Sequence, residues 1–89
     1  MPTVKLLITG RVQGVYYRAS AKAAADSLGV TGTVKNNRQG QVEILASGSE
    51  MTLKVFIAWC YEGPPGASVS DIKIDKIEDQ EFKGFSIVR

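Results

Sequence analysis

The chain of 89 residues is 44% apolar and 22% charged, a balance that suits a soluble globular protein and excludes disordered or collagen-like composition. It has no histidine and a single cysteine, Cys60, which removes imidazole bases, Ser-His and Cys-His nucleophile pairs, an internal disulfide and a CxxC metal or redox pair. A net charge of +2 is too small to mark a nucleic-acid protein, but residues 1–38 carry +5 and residues 39–89 carry −3, which fits a local anion site in the first half.

In chain order, Val4, Leu6 and Ile8 alternate with Lys5, Leu7 and Thr9 and predict a first strand, ended by Gly10. Tyr17, Ala21, Ala24 and Leu28 form one helical stripe in an alanine-rich segment that Gly29 stops. Residues 30–36 are rich in β-branched side chains, residues 37–40 have turn chemistry with Gly40 as a turn glycine, and Val42, Ile44 and Ala46 alternate beyond them, which predicts a hairpin. Ser49 can cap a second helix with Leu53, Phe56, Ile57 and Cys60 on its apolar face, stopped by Gly63, Pro64 and Pro65. Residues 69–77 and 84–88 supply two more short strands, and Lys76 breaks the alternation of Ile72 and Ile74, so a bend or bulge is expected near it.

The order βαββαβ plus a short terminal strand predicts an α+β, ferredoxin-like split βαβ sandwich, an antiparallel sheet with two helices on one face. A chain this short buries about 60% of its unfolded surface and fills one core, so residues 1–89 are expected to form one domain. No apolar run approaches the roughly 18 residues of a membrane span, and no basic region precedes an apolar core at the N-terminus. The expectation is a cytoplasmic protein with no membrane partner.

The stretch "TGRVQGVYYR", residues 9–18, joins the first strand to the first helix. Glycines admit φ > 0, so successive N–H groups can converge on one centre, and the helix N-terminus adds about half a positive charge. The pattern is neither GxxxxGK[ST] nor GxGxxG, and spacing alone carries no more than a phosphate cradle. Arg18 stands at the junction of loop and helix, where its planar fork matches two phosphate oxygens. Arg11 and Lys22 read as solvated charges that raise the local potential.

"GRVQGVYYR" closely resembles the acylphosphatase signature GxVQGVxFR, and "GTVKNNRQGQVE" resembles that family's second signature, GWVxNxxxGxVE. The two occur in the expected order and separation, and the element pattern covers essentially the whole chain. The resemblance implies hydrolysis of acyl phosphates to carboxylate and inorganic phosphate, with no metal and no cofactor. It places the phosphate-binding loop on Gln13, Gly14, Val15, Tyr16, Tyr17 and Arg18, the essential arginine on Arg18 and the catalytic asparagine on Asn36. Asn36 does not titrate near neutral pH, so its amide would orient the attacking water and the proton would pass to a phosphate oxygen of the substrate. Two positions depart from the signatures: Thr33 stands where an aromatic residue is usual, and Tyr17 replaces Phe, adding a hydroxyl that needs water or a partner.

The rival class is a binding module. RNA-recognition domains of this topology stack bases on aromatics of the two central strands, and neither "TVKLLITG" nor "GQVEILAS" contains one. A metal carrier would need paired cysteines in the first loop. A catalytically degenerate, ferredoxin-like anion-binding or regulatory module stays open as the alternative. The expected partners are a small-molecule acyl phosphate and the inorganic phosphate product, with no nucleic acid, on a monomer.

Overall fold

The computed structural model describes residues 1–88. Seven elements follow one another: β1 (Thr3–Arg11), α1 (Tyr17–Leu28), β2 (Thr31–Asn36), β3 (Val42–Ser47), α2 (Glu50–Glu62), β4 (Ser68–Ile77) and β5 (Phe85–Ile87). They build a five-stranded sheet in the order β4-β1-β3-β2-β5. The ferredoxin-like arrangement follows from that order. Four strands pair antiparallel, while the short β5 lies parallel to β2, so the sheet is mixed at one edge.

Alternation decides which face is covered. Leu6 and Ile8 of β1, Val34 of β2 and Val42, Ile44 and Ala46 of β3 are fully buried and point towards the helices. Ala21 and Ala25 of α1 are buried too, and small side chains let that helix approach the sheet closely. On α2, Leu53, Phe56 and Cys60 are buried, with the Phe56 ring 5.9 Å from that of Phe85 in an edge-on arrangement worth about 0.5–1.5 kcal/mol beyond its area. The opposite sheet face is uncovered, and there Lys35 lies directly across from Glu43.

Helix boundaries match their chemistry. Ser49 caps α2 through its hydroxyl oxygen, which accepts from the Thr52 N–H at 3.2 Å, and Gly29 closes α1 at φ 73°. No helix among the described residues is long and apolar enough to cross a membrane.

Besides the parallel edge, which departs from the antiparallel sheet expected, two features differ from the pattern read in the sequence. β1 does not stop at Gly10 but runs on to Arg11, and the register slips between Thr9 and Gly10, leaving Ser70 as the extra residue on β4. No slip occurs near Lys76, which pairs in register with Val4. β4 is an edge strand whose outer positions are largely solvated, so Lys76 needs no bulge to reach water. The bulge falls instead where Gly10, at φ 133°, approaches the β4 backbone so closely that a Cβ would sit 2.2 Å from the Ser68 carbonyl oxygen.

Candidate active site

The turn from β1 into α1 is built from left-handed residues. Gly14 has φ 76°, and Tyr16 has φ 62°, the only positive φ at a non-glycine residue among those described. Such a residue costs about 1–3 kcal/mol and persists only where its surroundings dictate it. Tyr16 is also the N-cap of α1, yet no side chain caps the helix and no acid occupies its first turn. The first N–H groups of α1 therefore have no intrahelical acceptor and no competing carboxylate. A backbone that alternates handedness before a bare helix N-terminus can turn successive N–H groups towards one anion-sized centre.

Arg18 is the second residue of α1 and is half-buried. Among the described residues the ion pairs are Met1 with Asp79 and Lys22 with Asp26, so no carboxylate neutralises the Arg18 guanidinium. Lys22 is matched by its own helix neighbour at 2.7 Å and adds little net field.

Arg18 and Asn36 border one open cleft of about 420 Å³, together with Gly14, Tyr16, Tyr17 and Ala19 of the loop and helix and with Val12 and Ile87. Asn36 ends β2, directly across β3 from Ile8, because both pair with Val42. Its Oδ1 is the only buried side-chain polar atom among the described residues without a hydrogen-bond partner. An unpaired buried carbonyl costs about 1–3 kcal/mol, so it calls for a ligand or a water.

The six loop residues named from the signature divide by role. Gly14, Tyr16, Tyr17 and Arg18 line the cleft. Gln13 and Val15 do not: the Gln13 carboxamide is bonded to the β2–β3 turn, and Val15 packs against the core. The Tyr17 side chain is buried, its ring 5.6 Å from that of Trp59 and its hydroxyl donating to the Cys60 carbonyl at 2.5 Å. That carbonyl is the partner the extra hydroxyl requires. Burial pushes the Tyr17 phenol far up and the Cys60 thiol up to about 12, so both stay protonated and neither serves as base or nucleophile.

Thr33 lies away from this cleft. It borders a separate hollow of about 240 Å³ on the uncovered sheet face, with Lys5, Lys35 and Leu45. The missing aromatic ring is a change to that face and leaves the cleft walls untouched.

Val12, Ala19 and Ile87 are cleft residues that sequence reasoning did not single out. Ile87 arrives through the parallel pairing of β5, which sets it opposite Val34, and no local pattern encodes that pairing. Among the described residues no three of His, Cys, Asp or Glu gather.

A family model described as Acylphosphatase matches residues 4–87. An acylphosphatase of Marinobacter nauticus is 47% identical over 81 residues, which span 90% of this chain and 88% of the relative. An acylphosphatase of Methylococcus capsulatus is 42% identical over 90 residues, spanning 100% of this chain and 98% of the relative. The crystal structure of acylphosphatase from Bacillus subtilis superposes with a TM-score of 0.96 at 38% identity, covering 100% of both chains. The chain thus belongs to the acylphosphatase family and is an enzyme of acyl phosphate hydrolysis.

Proposed function

We propose that hydrolysis is carried by Arg18 and Asn36 acting across the cleft on a substrate held by the loop. The backbone N–H groups of residues 14–18 receive the phosphate, and the Arg18 fork closes over two of its oxygens. Asn36 orients a water for in-line attack: its Oδ1 accepts from that water once the broad terminal torsion turns it to the cleft. The new bond joins the water oxygen to phosphorus while the bond from phosphorus to the acyl oxygen breaks. The electron pair leaves with the carboxylate, and the water proton ends on a phosphate oxygen. A carboxylate leaves readily, so positioning and charge stabilisation suffice and the reading requires no metal or cofactor.

The observation that supports this reading is the shared cleft: the Arg18 guanidinium, which has no ion-pair partner among the described residues, and the unpaired side-chain oxygen of Asn36 border the same space from separate elements. Val12, Tyr16 and Ile87 give it an apolar side against which the acyl group can lie. Residues 1–89 act as one domain in this reading, as a cytoplasmic monomer whose partners are the acyl phosphate and inorganic phosphate.

Benzoyl phosphate hydrolysis by the purified protein in the presence of chelator tests it. Wild-type turnover with loss of at least about 100-fold in Arg18→Ala and in Asn36→Ala is the expected result. Equal rates in all three proteins would overturn the assigned roles. Phosphate binding with no wild-type turnover would instead mark a degenerate anion-binding module.

A further inference from the structure

Gln13 belongs to the signature loop, yet its side chain is spent elsewhere. Its Nε2 donates to the carbonyl oxygen of Asn37 at 3.0 Å and to that of Gln41 at 2.8 Å, partners 24 and 28 residues away in the chain. These two carbonyls flank the β2–β3 turn, and Asn36 immediately precedes it.

The turn itself is stiff. The Asn37 N–H donates to the Gln41 carbonyl at 2.9 Å, and Asn37 Oδ1 accepts from the N–H groups of Gln39 and Gln41 at 3.0 and 2.9 Å. Asn37 Nδ2 donates to Gln41 Oε1 at 2.9 Å and to Glu43 Oε2 at 3.1 Å. A second tie runs to β1, from Gln41 Nε2 to Thr9 Oγ1 at 3.1 Å. A turn held from within moves as one body, so a clamp on its carbonyls also fixes the neighbouring Asn36.

The phosphate loop and the water-placing residue stand on strands that do not touch, since β3 lies between β1 and β2. Sheet register sets their height along the strands, but a loop beyond the end of β1 is free of that ladder. Gln13 closes this gap. We propose that Gln13 is a positioning residue for the hydrolysis: its carboxamide clamps the loop to the β2–β3 turn and so sets the distance between bound phosphorus and the water on Asn36. The proposal rests on the roles given above to Arg18 and Asn36. The clamp needs two N–H groups on one terminal nitrogen, because both partners are acceptors. Glutamate has the same length and no such donor, and would set its oxygens against two carbonyls.

The test is a double-mutant cycle on kcat for benzoyl phosphate, with inhibition by inorganic phosphate measured alongside. Gln13→Ala and Gln13→Glu are expected to lower kcat by roughly 10- to 100-fold, since a misplacement of about 1 Å can cost that much, while phosphate inhibition shifts less than about 3-fold. In an Asn36→Ala background the further loss from Gln13→Ala should shrink below about 2-fold, because the water it helped to place is already gone. A purely structural role would lower kcat and phosphate affinity together, or by the same factor in both backgrounds, and either outcome overturns the proposal. Asn36→Ala with wild-type kcat would overturn the Asn36 role and this proposal with it; a crippled Asn36→Ala with equal Gln13 factors overturns this proposal alone. Gln13→Met keeps the side-chain length without donors and serves in place of Gln13→Ala if that variant does not fold, with the same losses expected.

Discussion

The Tyr17 hydroxyl donates to the Cys60 carbonyl, joining the first turn of α1 to the last turn of α2. That carbonyl is among the last of α2, where no further helical N–H arrives to pair it. Tyr17→Phe removes the donor and leaves the buried carbonyl short of a partner. The expected cost is about 1–2 kcal/mol, a fall in Tm of roughly 5–15 °C for a chain of this size, read by thermal unfolding. An unchanged Tm would mean that water replaces the hydroxyl.

Stability should fall on the alkaline side. Burial, the largest cause, raises the Cys60 thiol from 9.0 to about 12, partly opposed by the neighbouring Tyr17 side chain. Burial also raises the Tyr17 phenol above 10.0, helped by the neighbouring Cys60. The folded chain keeps protons that the unfolded chain releases, so this stability is fully present below pH 9.0 and drains away as pH climbs through about 12. Urea midpoints measured from pH 7 upward should hold level and then decline beyond about pH 9, and Cys60→Ala should flatten the first part of that decline.

Arg18→Lys separates charge from shape. Lysine keeps the positive charge but offers a point donor instead of a fork, so one charge-assisted bond of about 1.5–3 kcal/mol is lost. kcat/KM should fall roughly 10- to 100-fold, less than for Arg18→Ala. Equal losses in the two variants would show that the fork, and not the charge, accounts for the whole effect.

Gly10 of β1 and Gly14 of the loop should respond differently to a methyl group. At Gly10 a Cβ would strike the β4 backbone, so Gly10→Ala is expected to cost about 3 kcal/mol or more and to be seen in denaturant unfolding. At Gly14 nothing lies within 4 Å of a built Cβ, and only the left-handed backbone objects. Gly14→Ala should cost about 1 kcal/mol of stability, with its larger effect on phosphate inhibition.

Most elements could be read from the sequence because their causes are local. The alternation of Val4, Leu6 and Ile8, the alanine stripe ended by Gly29 and the Ser49 cap each act within a few residues. What escaped depends on partners distant in the chain. Lys76 drew the expected bulge because it interrupts an apolar alternation, whereas the true one arises from how close Gly10 comes to Ser68. The parallel pairing that brings Ile87 to the cleft has no local mark. Arg18 is legible from its place at the junction of loop and helix, Asn36 only through the second signature, and both border one cleft. Gln13 was named too, but as a loop residue, since nothing near it in sequence announces acceptors on Asn37 and Gln41.

The strand order gives the two sides of the cleft unequal footing. β1, which launches the loop, is laced on both edges by β3 and β4, whereas beyond β2 lies only the three-residue β5. Short terminal pairing is the part of a sheet that opens at the lowest free energy. Warming should therefore loosen the Asn36 side while the loop still grips its anion, and the enzyme would pass through a range in which it holds phosphate but no longer turns over. Calorimetric phosphate titrations run beside rate measurements would find that range, a gap between the temperature that silences the catalyst and the one that empties its site.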